Sequence, residues 1–73
     1  MEILLSLRQQ GKIMKYDELH RLIRANGWVK LRQMGTSHVI YRKGSVTYPV
    51  PYHGAKEVGK GLEMKIKKEM RLK

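Results

Sequence analysis

At Trp28 the hydrophobic rhythm of the chain changes from helical to extended, and that switch decides the class of fold. Before it, the segment Tyr16 to Ala25 places Leu19, Leu22 and Ile23 on one helical face. Asp17 and Glu18 fall in the first turn, where acids meet the positive end of the helix dipole. Asn26-Gly27 then supplies residues that tolerate the left-handed conformation in which helices commonly end. After the switch, Val29 and Leu31 alternate with Lys30 and Arg32, which predicts a half-buried strand. Gly35-Thr36-Ser37 is turn chemistry, and His38-Val39-Ile40-Tyr41-Arg42 is rich in strand formers. Lys43-Gly44 turns the chain again, and Ser45 to Val50 gives a third strand that Pro51 closes. Strands joined by such short turns form an antiparallel meander. Tyr52 to Gly61 holds too many glycines for a helix, whereas Leu62, Ile66 and Met70, four residues apart, mark the apolar stripe of a closing helix. The order α-β-β-β-α defines an α+β fold in which two helices cover one face of a three-stranded antiparallel sheet. The other face is left to solvent or ligand.

A chain of 73 residues makes one small domain with a modest core, and without cysteine no disulfide supports it. A cytoplasmic protein, steadied by a partner, fits that composition. The sole dense apolar run, Ile3 to Leu7, is too short for a membrane span or a signal-peptide core, so no membrane role is expected. Sixteen Lys and Arg against six acids leave a net charge of +10 on a chain with an ordinary apolar share of 41%. Such charge on a foldable chain favours a polyanionic partner, because phosphate contacts release counterions. Nucleic acid leads, ahead of an anionic membrane surface or an acidic protein.

Several short motifs now fall in order: Asn26-Gly27-Trp28 after the first helix, Gly35-Thr36-Ser37-His38 at a turn, Val50-Pro51-Tyr52-His53, and Lys60-Gly61 opening the last helix. Each alone is common, but their order and spacing resemble the HicA family of toxins, whose fold is like that of double-stranded-RNA-binding domains. The resemblance covers residues 15 to 73. Two departures stand out: Thr36 is inserted in the usual Gly-Ser-His motif, and Glu63 occupies a position expected to be apolar. The domain is placed at residues 14–73, and residues 1–13 are an extension that the resemblance does not explain, either a flexible tail or an extra helix.

The resemblance implies a metal-independent endoribonuclease acting on messenger RNA and held in check by a HicB-type antitoxin. Such cleavage needs a group to take the 2′-hydroxyl proton and cations to stabilise the charge growing on phosphorus. His38, at the start of a strand and on the same alternation as Ile40 and Arg42, is the candidate general base. Taken alone, it reads more simply as a turn cap; the resemblance reverses that preference. Lys30, Arg32, Arg42, Lys56 and Lys60 are the candidate RNA-binding cations, with His53 and Ser37 as secondary candidates. His53 reads more simply as an ordinary loop residue. Lys56, Lys60 and the glycines around them outline a phosphate-binding loop but lack a Walker pattern. Lys65, Lys67, Lys68, Arg71 and Lys73 give the last helix a basic outer face, read equally as a solvated face that serves solubility and as an RNA contact. Trp28, Tyr41 and Tyr48 are expected in packing, and His20 is expected to face solvent. No metal site and no cofactor are expected, since the histidines lack the close spacing that ligand sets favour. The free chain is expected to be a monomer that joins its antitoxin in a hetero-oligomer. A non-catalytic RNA-binding module of the same fold is the alternative, and a DNA-binding accessory protein a third reading.

Overall fold

The computed structural model describes residues 13–35 and 37–73. Helix α1 spans Tyr16–Ala25, strands β1, β2 and β3 span Val29–Met34, His38–Lys43 and Val46–Pro51, and helix α2 spans Lys60–Glu69. The α-β-β-β-α order is therefore observed. The apolar run Ile3 to Leu7 and the inserted Thr36 lie outside the described residues.

The strands form one antiparallel sheet in the order β1-β2-β3. Along β2, Val39 and Tyr41 are buried while His38 and Arg42 are exposed, so alternation assigns one face to the helices and one to solvent. Val39, Tyr41 and Val50 meet Leu19 and Ile23 of α1, Ile66 of α2 and Met70 just beyond it in one core, joined by Tyr16, Trp28 and Val58. Burying a side chain of this size contributes roughly 1.5–3 kcal/mol, which makes this cluster the main stabilising element of so short a chain. On α1 the enclosed stripe is Tyr16, Leu19, His20 and Ile23. Leu22, expected on that stripe, is only half-buried at its margin.

Both helices end in the same way. At the end of α1, Trp28 N–H bonds to the Ile23 carbonyl at 3.4 Å and Gly27 N–H to the Arg24 carbonyl at 3.1 Å, with Gly27 at φ 93°. At the end of α2, Leu72 N–H bonds to Lys67 at 2.9 Å and Arg71 N–H to Lys68 at 3.3 Å, with Arg71 at φ 54°. This paired pattern satisfies the last free carbonyls of a helix. Trp28 links the two ends, its indole N–H donating to the Met70 carbonyl at 3.3 Å. Glu63 is buried, as the apolar expectation for its position implies, and Lys67 holds its Oε2 at 2.7 Å.

The alternation expected for β1 is overturned. Lys30 pairs with Tyr41 and Arg32 with Ile40, so Leu31 is the extra residue of a bulge. The bulge puts Lys30 and Gln33 on the helix side and Val29, Arg32 and Met34 on the open side. All six residues of β1 are exposed, Val29 by 64% and Leu31 by 47%, because neither helix covers this edge of the sheet.

Candidate functional site

The open face of the sheet carries the principal candidate. His38 pairs with Met34 on β1 and Pro51 on β3, and its side chain is exposed. Ser37 Oγ lies 3.4 Å from His38 Nδ1. The Tyr52 N–H donates to the Ser37 carbonyl at 2.7 Å, which fixes the turn before His38 to the end of β3. Arg32 stands opposite Ile40, so His38 is its diagonal neighbour across the strand pair, about 7–8 Å away in a regular ladder. Arg42 shares the face but lies four residues along β2 from His38, about 13 Å at strand rise, beyond Ile40. An exposed imidazole with a guanidinium one diagonal away can accept a proton and steady a nearby anion.

The remaining candidates are dispersed. Lys30 faces the helix side, opposite to His38. Lys56 is exposed in a loop stitched to the start of α1, where its carbonyl accepts the Tyr16 N–H at 3.0 Å and Gly54 accepts the Asp17 N–H at 3.1 Å. The loop's backbone is thus used in holding α1. Lys60, in the first turn of α2, points its ammonium toward Glu63 at 3.9 Å. His53 leaves the sheet at the same end as His38, but its ring stands edge-on against Tyr16 with centroids 4.9 Å apart.

His20 corrects the sequence reading: it is buried, 3% exposed, and not solvent-facing. Its Nε2 lies 2.8 Å from the Pro51 carbonyl, which can only accept, so that nitrogen carries the proton. Nδ1 then accepts from the Tyr41 hydroxyl at 2.6 Å. Burial pushes the His20 pKa below its usual range, partly offset by the bond to Pro51, with Arg24 adding to the lowering. Burial likewise raises the Tyr41 pKa, against the influence of Arg24. Tyr48, expected in sheet packing, is half-buried, and its hydroxyl donates to Glu69; burial and that bond push its pKa up to about 12. The signal for His20 was present in the spacing, since Tyr16, Leu19, His20 and Ile23 are the i, i+3, i+4 and i+7 positions of one helical stripe. Among the described residues no group of three His, Asp or Glu side chains is arranged to hold a metal ion, and no helix is long and apolar enough to cross a membrane.

Among the described residues, two helices on one sheet face and an exposed histidine and arginine on the other define an α+β domain of basic charge with an open working surface. Residues 16–72 match the family model described as HicA toxin of bacterial toxin-antitoxin. The chain belongs to the HicA toxin family. No curated protein and no solved structure matches it.

Proposed function

We propose that this toxin is a metal-independent endoribonuclease that cleaves messenger RNA, with His38 as general base. The observation that carries the reading is His38 standing exposed on the sheet face turned away from α1 and α2, with Arg32 one diagonal away. If His38 donates Nδ1–H to Ser37 Oγ, the lone pair rests on Nε2, facing solvent and able to take the 2′-hydroxyl proton. The 2′-oxygen then bonds to the adjacent phosphorus, closing a 2′,3′-cyclic phosphate as the bond to the 5′-oxygen breaks, and the departing 5′-oxygen takes a proton from solvent. Arg32, and Arg42 further along the strand, suit the growing negative charge. Lys30, Lys56 and Lys60 act on the same RNA away from the reacting bond. The toxin works in the cytoplasm, where a HicB-type antitoxin covers the open face, presenting acidic residues to its arginines.

The test separates imidazole from charge. His38→Ala leaves every cation in place, so RNA affinity should hold while cleavage falls roughly hundredfold or more, the scale of a lost general base. In cells, the wild-type chain without antitoxin should arrest growth and the variant should not. A variant that cuts RNA at the wild-type rate removes His38 from the mechanism, and a folded wild-type chain that binds RNA without cutting it makes the protein a binding module.

A further inference from the structure

On the helix side of the sheet, α1 and the edge strand β1 enclose a cavity of about 230 Å³. Arg24, Lys30 and Gln33 form its exposed rim, and His20, Val39 and Tyr41 its buried floor, with Asp17 and Tyr52 lining it as well. The volume is several times the roughly 30 Å³ share of one liquid water, enough for a tetrahedral anion and part of what carries it.

The rim is short of acids. Among the described residues the ion pairs are those of Glu63 with Lys60 and Lys67, so neither Arg24 nor Lys30 has a carboxylate partner. Among the described residues Asp17 is the sole acid lining the cavity, and it accepts the Tyr52 hydroxyl at 2.5 Å. The floor is already committed: His20 Nε2–H goes to Pro51, and the Tyr41 hydroxyl proton goes to His20 Nδ1. One Arg24 nitrogen lies 3.5 Å from the Tyr41 oxygen, which leaves the other guanidinium donors, the Lys30 ammonium and the Gln33 amide for an incoming acceptor. Lys30 is on this rim because it pairs with Tyr41, whose side chain faces the helices, and the bulge at Leu31 puts Arg32 on the opposite face. Two cations on either side of one edge strand make a positive track around that edge.

We propose that this cavity is a phosphate-binding site, holding a backbone phosphate of an RNA strand that passes round the β1 edge from the His38 face. Naming RNA as the source rests on the ribonuclease reading, whereas the phosphate chemistry of the rim does not. An anion on the rim also has a local signature. It opposes the lowering of the His20 pKa by Arg24 and Lys30, with Asp17, Tyr41, Tyr52 and the Pro51 carbonyl as the other groups around the ring.

Nuclear magnetic resonance on the full chain tests the site, following the His20 ring and Gln33 side-chain amide signals. Three probes are added separately: inorganic phosphate, a 2′-O-methyl RNA oligonucleotide that offers no 2′-hydroxyl for attack, and poly-glutamate. Phosphate and RNA should both move the two signals and raise the pH at which His20 titrates. Arg24→Gln and Lys30→Gln should each weaken binding by about tenfold, as loss of one charge-assisted hydrogen bond does. Lys65→Gln, which removes the same charge from the exposed side of α2, should leave it unchanged. Unmoved signals with both phosphate and RNA overturn the site, as does a Lys65→Gln effect equal to that of Lys30→Gln. A response to poly-glutamate alone overturns it in favour of a carboxylate-bearing partner, and a response to free phosphate without one to RNA overturns RNA as the source. Because 2′-O-methyl RNA cannot react, a chain that binds it here but never cuts RNA removes the role of His38 and leaves the site standing. Cleavage at full rate by a chain whose rim signals never move does the reverse.

Discussion

Burial in the fold disfavours a charge on His20. With its folded pKa held below the usual 6.5, the unfolded chain takes up a proton that the folded chain refuses as pH falls through that range. Its contribution to stability is therefore complete above about pH 6.5 and is lost progressively below it, toward the depressed folded value. Urea midpoints should be lower at about pH 5.5 than at about pH 7.5, and His20→Gln, which can still donate to Pro51, should flatten that difference. An equal pH dependence in the variant would place its origin elsewhere. Arg71 makes a second prediction at this scale. It occupies at the end of α2 the left-handed position that Gly27 fills at the end of α1, and a side chain there costs about 1–2 kcal/mol that glycine avoids. After allowance for glycine's greater freedom when unfolded, Arg71→Gly should stabilise the protein by roughly 0.5–1 kcal/mol, read as a higher urea midpoint with unchanged slope. A lower midpoint would refute it.

Among the elements, α1 carries the most of both core and cavity. Ile23, fully enclosed, should lose about 2–5 kcal/mol on change to Ala, whereas Leu22→Ala at the half-buried margin should cost less than half of that. Equal losses in urea melts would mean that the helix is rotated from the face described. The positions of both helices and all three strands were legible because the rhythm change at Trp28 and the turns at Gly35 and Gly44 are local signals. His20 was legible in spacing and obscured by its polarity, since what makes its burial tolerable is a hydroxyl and a carbonyl distant in sequence, on Tyr41 and Pro51. The faces of β1 were not legible. A bulge depends on how two strands register, and nothing within Val29–Met34 marks Leu31 as the extra residue. For the same reason His38 could be singled out from its turn, while its diagonal neighbour Arg32 and the separation of Lys30 from both became visible only with the pairing.

For the molecule as a whole, a charge of +10 over 73 residues makes salt the first control on any phosphate partner. If Arg32 and Arg42 on one face and Arg24 and Lys30 on the other each engage a phosphate of a single strand, log affinity should fall by about 3 per tenfold rise in salt. A filter-binding series measures that slope, and a flat response would remove phosphate contacts as the source of affinity. The bulge in β1 has a consequence of another kind. Among the described residues β1 pairs only with β2, and an uncovered outer strand presents free amides and carbonyls on which another chain can build, the first step toward fibrils during folding and at high concentration. At Leu31 the repeat of those groups is broken and the strand twists, and Lys30 and Arg32 place a positive charge on each side of the break. The irregularity that spoils the simple alternation of this strand therefore also hinders the sheet from growing copy by copy.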